Sequence, residues 1–439
     1  MRRSYAASAR PATRILTQVF DLPGATSLGG LNQLAAFLQR LGIDRKLADG
    51  FRAVKAEWHR WRLDRVLRIF LDAHFAGLER LYHFEDLETE PLLCAQHGVK
   101  RLPDVKTLYR DLRRFEDPAL FARLRQVLDA VVAEALAGQD RVVLEIDSTV
   151  ETLHGSQEGA AFGYNPHKPG RPSYHPLLAR DRISDLVVHH TLRPGSAGPA
   201  TGINAFLHQT LDRLPPGPKG REVLARLDAG FEYEEALRVL ERRGVGYVMK
   251  MRATPQVASH ACSLPPQAWR WVPGENEMQV ASFRWQRPKA WDQPRRVVVR
   301  RVRHAGDVQG HLWDECGWSY SLFVTDRDWE PEDVARFYDK RADVERTICE
   351  AKHDLRIDHV PTSSFGANAA DLALKILARN LLVLYRDRGL KLPRRERIMT
   401  MRRRYLCVAG RLVAHAGKLL LRLTADSPLA HRPLAVRRL

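Results

Sequence analysis

Cysteine is scarce in this sequence, which has five, at positions 94, 262, 316, 349 and 407. Their number is odd and no two form a Cys-x-x-Cys pair, so neither a zinc site nor a disulfide framework is predicted. We therefore expect a reduced, cytoplasmic protein. Long apolar runs are also missing, since no stretch reaches the roughly 18 apolar residues that a membrane-spanning helix needs.

Negative charge is in short supply. Asp and Glu number 52 against 70 Lys and Arg, which gives a formal net charge of +18. A folded protein this basic is expected to bind a polyanion, with nucleic acid the leading candidate and an anionic membrane surface its rival. Residues 1–8 are basic but lack the apolar core of a secretory signal. Hydrophobic residues make up 44% of the 439, which is enough for the cores of two or three domains.

Helical patterns fill residues 1–138. Two of the predicted helices, 86–97 and 104–115, are joined by a short connection that contains Gly98. The second helix is basic, with Lys106, Arg110, Arg113 and Arg114. This arrangement is compatible with a helix-turn-helix, and two packed helices of an all-α bundle explain it at least as well.

The pattern changes after residue 138, where apolar, β-branched runs begin to alternate with helical ones. Strands are predicted at 141–149, 186–192, 223–228, 245–251 and 320–325, and helices at 201–213 and 233–243. This alternation predicts an α/β domain with a mixed sheet, in two parts at 139–252 and 317–388.

The stretch 253–316 interrupts the alternation with turn residues and tryptophans. From Arg284 to Arg303, on a β-prone run that includes Arg300, eight Lys or Arg stand against one Asp. We expect an all-β insertion with one strongly positive surface. The region 389–439 is again basic, on sequence that permits helix.

A Gly- and Pro-rich passage at 155–174 follows the first strand of the α/β domain. It has too many turn residues for a helix and predicts a long loop or an irregular hairpin. His167, Lys168 and Arg171 in this passage are suited to phosphate contacts. A solvated loop is the equal alternative.

A single helix is predicted around residues 337–352, opened by Pro331 and the acids that follow it. At about 100° per residue, one stripe of this helix carries four reactive side chains: Tyr338, Arg341, Glu345 and Lys352. Taken alone, this stripe is equally well an ordinary solvated face.

Three carboxylates stand out by position. Asp147 and Asp228 each end a buried strand, and Glu345 lies on the helix. Each aspartate alone is better explained as a cap of the following turn. Together, however, three convergent carboxylates are what two Mg²⁺ ions need, and sites form at the strand ends of open α/β sheets. Two such ions stabilise both the attacking and the leaving oxygen in displacement at phosphorus.

The chain resembles bacterial insertion-sequence transposases of the DDE type. The most specific match is the signature Tyr-x2-Arg-x3-Glu-x6-Lys (YREK), found at Tyr338, Arg341, Glu345 and Lys352. Asp147, in Glu-Ile-Asp-Ser-Thr, matches the family's first aspartate, and Asp228, in Leu-Asp-Ala-Gly-Phe, matches the second. The likeness covers about 140–390 well. Ala229 departs from it, because relatives often have Ser after the second aspartate.

This resemblance implies an α/β catalytic domain with an RNase H-like mixed sheet flanked by helices, and the all-β insertion interrupts this domain. A helical N-terminal region would serve DNA binding or dimerisation, and the C-terminal region would be basic and helical. The implied activity is cleavage of DNA at the ends of the element and strand transfer into target DNA. Asp147, Asp228 and Glu345 would hold two Mg²⁺ or Mn²⁺ ions. The residues implied or considered as DNA contacts are Tyr338, Arg341, Lys352, Lys168, Arg171, Trp271, Trp285 and Arg300.

The implied partners are the double-stranded terminal inverted repeats and target DNA, bound by a homodimer in a synaptic complex. Localisation would be the bacterial cytoplasm, on the nucleoid when DNA is bound, without a membrane partner. An aromatic of the insertion would stack on a displaced base, although any one Trp, including Trp269 and Trp291, is more readily a core residue. Two other functions stay open: a DNA-binding protein that has lost catalysis, and a nuclease without strand transfer.

Overall fold

A computed structural model describes residues 18–19, 21–166, 168–303 and 318–432. Its N-terminal region has one very short strand and six α-helices: β1 (Ala25–Thr26), α1 (Leu31–Arg40), α2 (Ile43–Phe51), α3 (Leu63–Ala76), α4 (Pro91–Gln96), α5 (Val105–Arg113) and α6 (Pro118–Leu136). Capping fixes the starts of the last two helices, because Asp104 accepts a hydrogen bond from Thr107 N and Asp117 one from Ala119 N. Among the described residues of 1–138, the prediction of an all-helical region is wrong at β1.

Strands and helices follow one another through the rest of the described chain, and the mixed α/β structure predicted for 139–252 and 317–388 is confirmed in both parts. The elements are β2 (Arg141–Ser148), β3 (Glu151–Thr152), β4 (Ser173–Tyr174), β5 (Leu177–Asp181), β6 (Val187–Thr191), α7 (Ile203–Asp212), β7 (Glu222–Leu227), α8 (Glu234–Arg242), β8 (Gly246–Lys250), α9 (Pro255–Cys262), β9 (Arg270–Trp271), β10 (Met278–Trp285), β11 (Arg295–Arg303), β12 (Trp318–Thr325), α10 (Pro331–Asp339), α11 (Ala342–Leu355), α12 (Phe365–Leu384), α13 (Ile398–Met401), β13 (Gly410–His415) and β14 (Lys418–Leu423).

The centre of the molecule is a nine-stranded mixed sheet in the order β6-β5-β2-β7-β8-β12-β11-β10-β9. β2, β7 and β8 run parallel to one another, and the remaining neighbours are antiparallel. The strands of the predicted insertion therefore extend the same sheet instead of forming a separate one. The prediction that 253–316 is all-β is wrong, because α9 lies within it; residues 304–317 are outside the described part.

The C-terminal region is not the helical tail that the sequence predicted. After the short helix α13, β13 and β14 form a hairpin, and β13 also pairs with β1. A two-residue turn with positive φ joins the hairpin strands, at 48° for Ala416 and 72° for Gly417. The two ends of the described chain are thus joined in one small sheet.

One large hydrophobic core connects the N-terminal helices with the main sheet. Its centre is α12, which is buried along almost its whole length and packs against α3, α5 and α6. A second, smaller core lies under α10 and includes Val248, Val298 and Phe323. Within the described residues, no helix is both long and apolar enough to cross a bilayer.

Candidate active site

Two aspartates lie side by side at the carboxyl ends of neighbouring parallel strands. The last recorded pair between β2 and β7 joins Ile146 to Leu227, so the next position on each strand is Asp147 and Asp228. Neighbouring strands are about 4.8 Å apart, and residues in register in a parallel pair point to the same face. The sequence prediction that both aspartates end strands is therefore confirmed, and they end adjacent strands.

Residues 337–352 do not form the single helix that the sequence predicted. α10 ends at Asp339 and α11 starts at Ala342, with Lys340 and Arg341 between them. Tyr338 therefore belongs to one helix, and Glu345 to the next. The predicted stripe is broken, and its residues are brought together by tertiary contacts instead.

A buried arginine directly under the site holds this junction. Arg226, fully buried on β7, donates hydrogen bonds to the carbonyl oxygens of Phe337 and of Lys340, the latter at 3.0 Å. It also pairs with Glu145, which is opposite it on β2. Glu145 accepts a second bond, of 2.6 Å, from Arg180. The strand pair that carries the aspartates thus also fixes the place where α10 ends.

Tyr338 and Arg341 reach from this junction to the aspartates. The Tyr338 hydroxyl donates a hydrogen bond of 3.2 Å to Asp228 Oδ1. Burial, and then the charge of Asp228, raise the pKa of Tyr338, so the hydroxyl stays protonated as a donor. Arg341 is 3.1 Å from Asp147 Oδ2 and 3.4 Å from Glu345 Oε1, and so ties two of the three predicted carboxylates to one guanidinium.

The charges of the three carboxylates interact. Burial raises the pKa of Asp147 to about 6; Arg341 and the Ser148 amide oppose this rise, and the charges of Asp228 and Glu345 add to it. The Glu345 side chain is 69% exposed. A carboxylate whose pKa is raised by neighbouring negative charges favours a nearby cation, and Arg341 supplies part of that positive charge beside Asp147.

The carboxylates are not, however, gathered into a ready metal cluster. Among the described residues, no three His, Cys, Asp or Glu side chains are grouped so that they could hold a metal ion. The guanidinium of Arg341 lies between Asp147 and Glu345 and contacts the carboxylate oxygens that a metal ion would also need. The donor set still fits Mg²⁺ or Mn²⁺ chemically, because it consists of hard carboxylate oxygens whose mutual repulsion a cation would relieve.

Lys352 lies close to the C-terminal end of β2. Its Nζ donates a hydrogen bond of 3.0 Å to the carbonyl oxygen of Val150, three residues after Asp147. The side chain is half-buried, and burial lowers its pKa. The structure therefore brings the last residue of the signature to the same strand end.

The predicted DNA contacts outside the signature differ in exposure. Lys168 and Arg171 are exposed in the loop between β3 and β4, while His167 lies outside the described residues. Trp271 is 52% exposed, and Trp285 is half-buried against His260.

Arg300 and two tryptophans of the insertion have structural contacts. Arg300 pairs with Asp339 at the end of α10, and only 18% of its side chain is exposed. Trp269 and Trp291 are buried, which agrees with their reading as core residues. The expected positive surface of β11 is reduced further because Arg295 is buried between Glu234 and Glu241.

Sequence reasoning missed the pair of Glu145 and Arg226. A signal was present, because each is a charge inside an apolar strand. Burying a charge is unfavourable unless it is paired, so each of the two residues is expected to have a partner of opposite charge. The partner could not be identified without the register of β2 against β7.

Comparison with known proteins defines the class of this molecule. A family model described as transposase DDE domain group 1 matches residues 14–437. The chain belongs to this family of DNA transposases, which are phosphoryl-transfer enzymes that generally use divalent metal ions.

No curated protein matches the sequence. Among solved structures, the fold is similar to that of a piggyBac transposase, determined by cryo-electron microscopy as a synaptic complex with hairpin DNA. The sequence identity is 12% and the TM-score 0.49, over 87% of this chain and 81% of that one.

Proposed function

We propose that this transposase cuts DNA at the ends of an insertion sequence and joins the freed 3′-OH to target DNA, with Asp147, Asp228 and Glu345 as the ligands of two Mg²⁺ or Mn²⁺ ions. The observation that carries the proposal is the adjacent register of Asp147 and Asp228, with Arg341 bridging from Asp147 to Glu345. Within the order β6-β5-β2-β7-β8, β5 runs antiparallel to the other four strands, which are parallel to one another, and this arrangement supports an RNase H-like catalytic domain.

The residues around the carboxylates have distinct tasks in this proposal. When bound, the metal ions would stabilise the attacking and leaving oxygens of an in-line displacement. Tyr338 orients Asp228 by its hydrogen bond. Arg341 balances the carboxylate charges before DNA arrives, and its planar fork suits a phosphate of the DNA afterwards. Lys352 supplies a further positive charge where β2 ends.

The DNA partner follows from the family and from the net charge of +18. In this proposal the substrate is the double-stranded terminal inverted repeats, held by two copies of the chain in a synaptic complex. Lys168 and Arg171 are the first Lys and Arg after β2 in the sequence, and as exposed cations they would contact the DNA backbone.

The proposal is tested with DNA that carries the inverted repeats flanking the gene. Asp147→Asn, Asp228→Asn and Glu345→Gln should abolish cleavage while leaving binding to the ends largely intact. Glu235→Gln, which changes an exposed carboxylate on α8, is the matched control and should cleave normally.

The same assay separates the alternative functions. A wild-type protein that binds the ends but never cuts them would be a DNA-binding relative without catalysis. A protein that cuts but does not join labelled ends to a target plasmid would be a nuclease without strand transfer. Normal cleavage by Glu345→Gln would show that the site has been assigned wrongly.

A further inference from the structure

Two aromatic side chains project from the loop between β3 and β4. Phe162 is 72% exposed and Tyr164 71%. Lys168 and Arg171 follow on the same loop and are exposed as well. Rings of this size that bury so little surface contribute little to the core, and cations beside them favour an anionic partner.

The backbone that carries these rings is firmly anchored. Ala161 forms a β-bridge with Ser173. Asn165 is buried, donates a hydrogen bond of 3.1 Å to Thr152 Oγ1 and accepts one of 3.1 Å from Lys168 N. Gly163 packs so tightly that an added Cβ would come within 1.9 Å of the carbonyl oxygen of Gly195. The rings are therefore presented by a fixed backbone.

Two routes connect this loop with the carboxylates. Thr152, which Asn165 contacts, lies five residues after Asp147, at most about 18 Å away along an extended chain. Gly195, which Gly163 contacts, belongs to the segment that includes Pro199. Pro199 in turn packs against Gly230, at 3.1 Å from a Cβ built there, two residues after Asp228. The loop thus contacts the segment that follows Asp147 and is linked through residues 195–199 to the segment that follows Asp228.

We propose that Phe162 and Tyr164 form a stacking surface for one or two unpaired bases of the DNA beside the cleaved phosphodiester, with Lys168 and Arg171 on the adjoining backbone. The proposal rests on the proposed function, because it takes DNA as the substrate. An aromatic ring stacks on any base whose face is free, whereas both faces of a base inside a duplex are covered. The stacking surface therefore selects unpaired bases and tolerates their sequence.

The test compares two short DNA duplexes that share one strand containing 2-aminopurine: in one duplex this strand is fully paired, and in the other a mismatched second strand leaves a central bubble around the 2-aminopurine. Binding and fluorescence are measured in EDTA, so that the result does not depend on cleavage. With the wild-type protein, the fluorescence of the bubble should fall as the base stacks. Phe162→Ala and Tyr164→Ala should each weaken binding to the bubble by roughly 5- to 150-fold, the range for one base–aromatic stack, and should leave the fluorescence high.

Several further variants test whether binding to the bubble needs the aromatic rings themselves. Phe162→Leu should behave like Phe162→Ala, and Tyr164→Phe like wild type. Trp58→Ala, which removes an 80% exposed aromatic of the N-terminal region, should change neither reading. Equal losses on paired and bubbled DNA, or unchanged binding by the alanine variants, would overturn the proposal. Failure of the carboxylate assignment would appear separately, as normal cleavage by Asp147→Asn.

Discussion

The buried guanidinium of Arg226 donates a hydrogen bond of 3.0 Å to the carbonyl oxygen of Lys340, the residue where α10 gives way to α11. Arg226 also pairs with Glu145 on the neighbouring strand. One side chain thus connects the strand that leads to Asp228 with the junction that places Tyr338 and Arg341. The site depends on this connection, because Tyr338 and Arg341 have no continuous helix to align them.

Removal of Arg226 should therefore affect both stability and chemistry. Arg226→Met leaves Glu145 with one cation fewer in the interior and should lower the free energy of unfolding by about 3–5 kcal/mol. The double variant Arg226→Met with Glu145→Met should regain much of this stability in urea unfolding. Its cleavage should stay slow, because the carbonyl contacts at the junction are lost. A double variant that cuts at the wild-type rate would show that the junction needs no such support.

Arg341 should compete with the metal ion for the carboxylates. It pairs with Asp147 and Glu345, so an ion held by both of these carboxylates has to displace it. Arg341→Gln should bind Mn²⁺ about 10-fold more tightly in the absence of DNA, the scale of one charge-assisted hydrogen bond. Cleavage should nevertheless slow. Electron paramagnetic resonance titration measures the affinity, with the exposed Arg242→Gln as control; an unchanged affinity would contradict the competition.

Glu151 should make stability depend on pH. Burial raises its pKa to about 8, and the charges of Lys375 and Lys352 oppose the rise. From about 4.5 to about 8 the folded protein keeps a proton that the unfolded chain has released, so the free energy of unfolding falls as the pH rises. Relative to Glu151→Gln, the wild type should lose about 1.4 kcal/mol per pH unit over this range. Denaturant unfolding at several pH values measures it.

The exposed Glu235 provides the control for this pH dependence. Glu235→Gln should show the same change in the free energy of unfolding with pH as the wild type, because this exposed carboxylate is in contact with water in the folded as well as the unfolded chain. If the free energy of unfolding of Glu151→Gln changes with pH in the same way as that of the wild type, burial does not hold Glu151 protonated.

The sequence was most informative where local pattern decides the structure. The strands that end at Asp147 and Asp228 were predicted within a residue or two, because apolar β-branched runs and the turns after them are local signals. The break between α10 and α11 at Lys340 was not predicted, because it depends on hydrogen bonds from the buried Arg226 to the carbonyl oxygens at this junction. These contacts join residues far apart in sequence, and helix periodicity cannot reveal them.

The C-terminal hairpin was missed for a different reason. The basic, helix-permissive composition of this region predicts a helix, whereas Ala416 and Gly417, both with positive φ in the structure, form the turn of a hairpin. A two-residue turn that contains Gly between apolar runs is a hairpin signal and could have been recognised. The burial of Trp269 and Trp291 agrees with their expectation as core residues, whereas the way β9 to β11 extend the main sheet was not predicted from the sequence.

The central claim is that the three carboxylates hold the metal ions at which DNA is cut. It is tested most directly by cleavage of element-end DNA by Asp228→Cys in Mg²⁺ and in Mn²⁺. A thiolate is a poor ligand for Mg²⁺ and a better one for softer ions. In Mg²⁺, cleavage should fall by at least about 100-fold, the scale of losing an electrostatic stabiliser of the transition state, and Mn²⁺ should restore part of it. Wild-type cleavage by Asp228→Cys in Mg²⁺ would contradict the claim.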